Sequence, residues 1–320
     1  MPAPLLPPGA VDLTGPAASG RRDLQQRMLA VLAGSGYAEV ITPTFEYEEV
    51  FLRAAGAPVA ERLLRFVDRD GRILSLRYDY TASLARVVAT AFAGHEGALR
   101  LGYTGPVFRQ DPDRGARPRE TLQLGAELVG VSGIEGDLEV LRLTLALARS
   151  AGLGEFQINL GHVGALAPGL AALDPARRPE VLGWIDRKDQ GNLRRHLADR
   201  TDASRSLIGL AGVIGRKSAL EAALPTAPAD ALPALRHLLA IDAALTERDR
   251  AHVVYDLGEV RGLDYYTGIH FELFVAGLGR AAGAGGRYDG LIGKFGADRA
   301  AVGVSLDLDA LADLGVGAGR

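Results

Sequence analysis

Four short segments of this 320-residue sequence combine charge, aromatic rings and glycine in strand-like surroundings. They are Leu76-Arg77-Tyr78-Asp79-Tyr80-Thr81; Phe108-Arg109-Gln110-Asp111, running on to Gln123 and Glu127; Arg261-Gly262-Leu263-Asp264-Tyr265-Tyr266-Thr267-Gly268; and Gly285-Gly286-Arg287-Tyr288-Asp289-Gly290. Singly, each has an ordinary structural reading. Arg109 beside Asp111 suits a surface ion pair of small energetic weight. A Tyr-Tyr pair in a strand divides between core and solvent, and glycine ahead of Arg287 shapes a turn, with Arg287 and Asp289 as an internal salt bridge beside it. Together the residues suit a small zwitterion. Asp79 and Glu127 would hold an ammonium or an imidazole N–H, with the Gln123 amide beside them. Arg109 and Arg261 would hold a carboxylate, and the tyrosine rings would exclude water.

The surrounding pattern supplies elements to position these groups. Leu24, Met28, Val31 and Leu32 recur at helical spacing, and Gly34 and Gly36 end that helix. A short strand at Glu39-Val40-Ile41 is stopped by Pro43. Residues 62–77 read as a hairpin around Asp68-Arg69-Asp70-Gly71, and Thr81 is the expected cap of a helix through Leu84, Val87 and Val88. Strands are expected at 98–103 and 106–110. Segment 121–129 then alternates, with Leu122, Leu124, Ala126 and Leu128 on one face and Gln123, Gly125 and Glu127 on the other. There the glycine leaves room for a ligand between an amide and a carboxylate. A helix over 136–150 and a strand at 156–160 follow. Residues 165–248 turn helical in periodicity, and strand patterns return at 253–257 and 266–276. A glycine-rich turn is expected at Gly283-Ala284-Gly285-Gly286, then a last strand near 301–306 and a short helix. Strands joined by hairpins, with helices set apart, predict an antiparallel α+β domain. The glycines at 283–286 do not open a helix after a parallel strand, so a dinucleotide fingerprint fits poorly.

Composition narrows the function classes. A hydrophobic content of 48% supports a sizeable core, and a net charge of -3 argues against a strongly basic nucleic-acid binder. The absence of cysteine removes thiolate metal sites and cysteine nucleophiles. No run is apolar enough to span a bilayer, and the Met1-Pro2-Ala3-Pro4 start lacks the features of a signal peptide, so a cytoplasmic protein is expected.

The motifs themselves resemble a family. Arg261–Gly268, RGLDYYTG, and Gly285–Leu291, GGRYDGL, closely resemble paired motifs of histidyl-tRNA synthetases. FRQD at Phe108–Asp111 resembles class II synthetase motif 2, and LRYDYT at Leu76–Thr81 resembles the family's RPEGT segment. The agreement runs from near residue 10 to about 312. It implies a class II synthetase-like antiparallel sheet of six or seven strands flanked by helices, formed by 1–164 and 249–320, with 165–248 as a helical insertion. It also implies histidine-contacting roles for Asp79, Thr81, Arg109, Gln123, Glu127, Arg261, Tyr265 and Tyr266, with Tyr288 lining the same pocket. Asp79 stands where the family has glutamate.

Departures from the family pattern bear on activity. Where the family reads AVGFAIGxERL, this chain reads Ala301-Val302-Gly303-Val304-Ser305-Leu306-Asp307-Leu308-Asp309-Ala310-Leu311. The ATP-gripping arginine is Ala310 and the glycine near it is Asp307, so a cation is lost and an anion gained where a phosphate would lie. Thr121 replaces a phenylalanine of the motif 2 region, and the chain ends at Arg320, before the position of an anticodon-binding domain. A synthetase-like domain altered in this way is similar to the regulatory subunits of ATP phosphoribosyltransferase. That resemblance implies no catalytic residue, no cofactor and no metal. It implies pairing with the short-form catalytic subunit, activation of that subunit and feedback by L-histidine in the first step of histidine biosynthesis. It also implies a homodimer, formed around Glu39–Phe51, within a hetero-oligomer, and neither membrane nor nucleic-acid binding. Two alternatives stay open: a truncated or divergent histidyl-tRNA synthetase-like enzyme that activates histidine with ATP, and a histidine-sensing module with another partner.

Overall fold

The computed structural model describes residues 5–110, 118–197, 201–260 and 265–315. In chain order the first elements are α1 (Gly15–Gly34), β1 (Ala38–Glu39), β2 (Phe45–Tyr47), α2 (Glu48–Ala55), β3 (Arg65–Val67), β4 (Ile73–Leu76), α3 (Tyr80–Ala91), β5 (Leu99–Phe108), β6 (Glu120–Val129) and α4 (Gly133–Ser150). Then come β7 (Phe156–His162), α5 (Val163–Ala171), α6 (Arg178–Asp186), α7 (Gln190–His196), α8 (Asp202–Ala211), β8 (Ile214–Gly215), α9 (Lys217–Ala223), α10 (Leu232–Ala244) and α11 (Glu247–Arg250). The chain finishes with β9 (Val253–Asp256), β10 (Ile269–Val275), β11 (Gly283–Arg287), β12 (Ala301–Asp307) and α12 (Leu308–Asp313). Two compact units result. The first comprises Met1–Val131, Leu143–Gly154 and Asp289–Arg320, the second Ser132–Arg142 and Glu155–Tyr288.

In the first unit the strands run in the order β1-β5-β6-β12, and a separate three-stranded sheet runs β2-β4-β3. β5 and β6 form a long antiparallel hairpin from Leu99↔Val129 to Phe108↔Glu120, and β12 pairs antiparallel with β6 from Ala301↔Val129 to Asp307↔Gln123. β5 is one continuous strand through Gly105 and Pro106, where the sequence suggests two. β1 lies parallel to β5, which makes the sheet mixed rather than wholly antiparallel. Leu24, Met28 and Leu32, spaced by four residues, put one face of α1 into the core. Full burial of such a side chain contributes about 1.5–3 kcal/mol. The expected hairpin turn is present, with Gly71 at φ 84°, a conformation glycine adopts without strain.

In the second unit the order is β11-β10-β7-β9-β8, with β7 and β9 parallel and the other pairs with given register antiparallel. Among the described residues between β7 and β9, the regular elements are helices apart from the two-residue β8. Gly283–Arg287 is a strand paired with β10 over His270↔Gly286 to Leu273↔Gly283, not the glycine-rich turn its composition suggests. The reason is steric. A Cβ on Gly286 would come 2.6 Å from the Ile269 carbonyl and 2.7 Å from the Tyr266 ring, so close approach of neighbouring chain selects glycine there.

Candidate functional site

The sheet of the first unit presents one polar face. Alternation along β6 places Gln123, Gly125 and Glu127 together, opposite Gly105, Tyr103 and Leu101 of β5 and Asp307, Ser305 and Gly303 of β12. Thr81, in the first turn of α3, donates its hydroxyl to Glu127 Oε1 at 2.8 Å. Glu127 is only 2% exposed, so its other oxygen also lies within the protein. That oxygen, Oε2, occupies the space a Cβ at Gly303 would need, 1.6 Å away. Gln123 Oε1 is buried without a hydrogen-bond partner among the described residues. An unpaired buried acceptor costs about 1–3 kcal/mol, which an N–H-bearing ligand would recover.

Gly125 does not leave room for a ligand. A Cβ there would sit 2.3 Å from the Tyr103 hydroxyl and 2.3 Å from the Val304 carbonyl, so the glycine makes way for the Tyr103 ring and the neighbouring strand. Tyr103 is fully buried and stacks on Tyr80 at 4.3 Å, and the Arg77 guanidinium lies 3.9 Å from the Tyr80 centroid. Burial, reinforced by the nearby Glu127 and Asp79 carboxylates, pushes the Tyr103 phenol well above its ordinary value, so it stays a neutral hydroxyl. Arg77 is itself 2% exposed and donates to the carbonyls of Thr42, Pro43 and Pro106. It is a structural anchor beneath the site.

Asp79, not Thr81, caps α3. Its Oδ1 accepts the Ala82 N–H at 3.0 Å. Burial raises the Asp79 carboxyl, against the opposing pull of that N–H and of Arg109. Arg109 is exposed. Its Nε donates to the Tyr78 carbonyl at 3.1 Å, and its guanidinium lies 5.0 Å from the Tyr78 ring. Asp111, its partner in the surface-pair reading, lies outside the described residues.

In the second unit Tyr265 meets Tyr266 edge-on at 5.1 Å and stacks against Tyr288 at 5.3 Å, so these three rings form one aromatic face. Arg261 lies outside the described residues. Tyr266 stacks on His270, which is 2% exposed and shares a proton with the Glu259 carbonyl through Nε2. Burial holds the His270 ring at about 4, so it is neutral and Nε2 is the donor. Arg287 pairs with Asp137, through Nε at 2.8 Å and Nη2 at 2.7 Å. Asp289 accepts the Ala301 N–H at 2.9 Å.

The start of α12 bears on phosphate chemistry. Asp307 is its N-cap, accepting the Ala310 N–H at 3.0 Å, and Ala310 is 3% exposed. Asp309 accepts from Arg21 and from the Leu122 N–H. Two carboxylates therefore stand at the first turn of this helix, one as its cap, and no guanidinium projects from position 310. Among the described residues no group of three His, Asp or Glu side chains is arranged to hold a metal ion, and no helix is long and apolar enough to cross a membrane.

Sequence patterns gave Arg77 no role, although it lies in a singled-out segment, and missed Tyr103 and Asp137. Only Tyr103 had an accessible signal, its register opposite Gly125 in the long hairpin. The others depend on partners far along the chain.

Comparison with known proteins agrees with this architecture. The family model described as histidyl-tRNA synthetase matches residues 9–311. The ATP phosphoribosyltransferase regulatory subunit of Moorella thermoacetica is 40% identical over 96% of this chain and 80% of its own length. That of Pseudomonas putida F1 is 36% identical over 97% of this chain and 80% of its own. A crystal structure described as an ATP phosphoribosyltransferase regulatory subunit/histidyl-tRNA synthetase from Bacillus halodurans superposes with a TM-score of 0.88 at 30% identity, covering 98% of this chain and 84% of that one. The chain thus has the class II synthetase-like fold of histidyl-tRNA synthetases and belongs to the family of ATP phosphoribosyltransferase regulatory subunits.

Proposed function

We propose that this chain is the non-catalytic partner of a short-form ATP phosphoribosyltransferase catalytic subunit, activating it and making it responsive to L-histidine in the first step of histidine biosynthesis. The observation that carries the reading is the start of α12. A nucleotide phosphate needs a cation there, and the chain offers the Asp307 carboxylate as cap and a buried Ala310. Losing one positioned cation costs roughly a hundredfold or more in rate, before any repulsion from an added anion. The acceptors suited to an ammonium or imidazole N–H are retained: Glu127 with Thr81, and the unpartnered Gln123 oxygen. A site that keeps amino-acid recognition and loses nucleotide chemistry suits a sensor. Histidine then acts by binding one state of the assembly more tightly than another, through a coupling of about 1–3 kcal/mol.

The same reading includes a homodimer. Ile41, Phe45, Phe66, Val67 and Ile73 are exposed apolar side chains on and beside the β2-β4-β3 sheet, and such a patch marks an association surface. Pairing of two copies over Glu39–Phe51 would cover part of it.

ATP–pyrophosphate exchange with histidine, run beside calorimetric histidine binding and reconstitution with the short catalytic subunit, tests the proposal. Histidine binding without exchange, with activation of the partner, is the expected result. Robust exchange would restore the enzyme reading.

A further inference from the structure

Two polar clamps tie the helical stretch between β7 and β9 to neighbouring chain, one to the turn that leaves β9 and the other, through Asp137, to the segments that carry Tyr266 and Tyr288. The first is Lys188, in the turn between α6 and α7. Its φ of 55° is the one positive value among the described non-glycine residues, a conformation that persists only where surrounding contacts hold it. Those contacts are specific. The Lys188 ammonium donates to Asp256 Oδ1 and Oδ2 and to the Gly258 carbonyl, each at 2.8 Å. Three acceptors thus match its three N–H groups. Asp256 is 3% exposed, and its Oδ1 also accepts the Gly258 N–H, so the turn that leaves β9 is fixed from both sides.

The second clamp is His237 on α10. Its Nε2 lies 2.7 Å from Asp137 Oδ2, while Asp137 Oδ1 takes the Arg287 guanidinium. Arg287 is 5% exposed and immediately precedes Tyr288. Its carbonyl accepts the Thr267 N–H at 2.7 Å, and a Cβ on Gly268 would come 3.0 Å from its Cδ. One buried guanidinium therefore registers both tyrosine-bearing segments, and a histidine from the helical stretch supports it through Asp137.

We infer that Lys188 and His237 are positioning residues for the tyrosine face. Through them, the arrangement of the helical stretch and occupancy of that face by a small amino-acid ligand are thermodynamically linked. The ligand half of this rests on the proposed histidine reading; the positioning half does not. If the tyrosine face binds only when registered, whatever moves α6, α7 or α10 changes affinity, and binding in turn quiets those helices.

Amide hydrogen exchange on the 320-residue chain separates the two halves. Without ligand, Lys188→Met and His237→Leu are expected to accelerate exchange at 265–275 and 283–288 by about tenfold or more relative to β7. His237→Gln, which can still donate to Asp137, is expected to restore near wild-type exchange, a rescue that mere space-filling at position 237 would not require. Unchanged exchange in both clamp variants would overturn the inference. With L-histidine added, wild-type exchange in α6–α10 is expected to slow, and the clamp variants to bind at least about tenfold more weakly by calorimetry. Histidine binding that left α6–α10 unaltered, or that both clamp variants matched, would also overturn it. Accelerated exchange in the variants together with no histidine binding by the wild type would sustain the positioning roles and remove the histidine reading instead.

Discussion

The Thr81 hydroxyl donates to Glu127 Oε1 at 2.8 Å, which joins the first turn of α3 to the interior of β6 through one charge-assisted bond. Glu127 accepts from a residue only two positions beyond a capping aspartate, so the cap and the carboxylate are set by the same helix end. Thr81→Val keeps the shape and removes the donor. Unfolding free energy is expected to fall by about 1–3 kcal/mol in a denaturant titration, and histidine affinity to weaken as well. Stability and affinity both unchanged would show that Glu127 is positioned by other groups.

Gly303 and Gly125 make a steric prediction. Gly303→Ala puts a Cβ 1.6 Å from Glu127 Oε2, and Gly125→Ala puts one 2.3 Å from both the Tyr103 hydroxyl and the Val304 carbonyl. At Gly303 the nearest obstacle is the Glu127 carboxylate and the Ala126 carbonyl lies 2.8 Å away, so histidine affinity and stability are both expected to drop. At Gly125 one obstacle is backbone, so the cost appears as stability, about 1–3 kcal/mol or more. Calorimetry and thermal unfolding on the two variants distinguish these responses.

How much of this was legible in the sequence follows from the range of each interaction. Leu24, Met28 and Leu32, the Asp68–Gly71 turn and the alternation of β6 are local patterns, and each forms the expected element. The Gly283–Arg287 strand was hidden because its glycines answer to Ile269 and Tyr266, close in space but distant in sequence. Arg287 finds Asp137 across 150 positions, and Arg77 finds Thr42 across 35, so neither partner can be read from spacing. At α3, Asp79 and Thr81 are both good caps by residue type. Asp79 wins because its extended backbone, φ -151°, stands one residue outside the helix, and Thr81 is thereby released towards Glu127.

Asp307 is expected to act as a helix cap with no catalytic part. Asp307→Ala removes the acceptor for the Ala310 N–H and should lower stability by about 0.5–2 kcal/mol. ATP–pyrophosphate exchange should stay at background, because the buried alanine at 310 still supplies no cation. A rise in exchange on this single change would mean that the carboxylate alone had silenced the site.

Acid stability should be governed largely by two imidazoles in the second unit. Burial lowers His270 to about 4, and burial, with lesser contributions from His237 and His270, lowers His162 to about 4. Unfolding exposes each ring to water, where it titrates near its ordinary value of about 6.5. As pH falls below about 6.5 the unfolded chain takes up protons that the folded chain refuses, so stability is complete above that value and drains away towards pH 4. Below both values the loss stops, since folded and unfolded rings are then equally protonated. A separation of this size corresponds to roughly 3 kcal/mol for each ring, so the two together can exhaust much of a normal folding free energy. His270→Gln retains an N–H for the Glu259 carbonyl but cannot titrate. Denaturant titrations between pH 7 and pH 4 should show a markedly shallower loss for this variant than for the wild type. Parallel curves for the two proteins would place the acid sensitivity elsewhere.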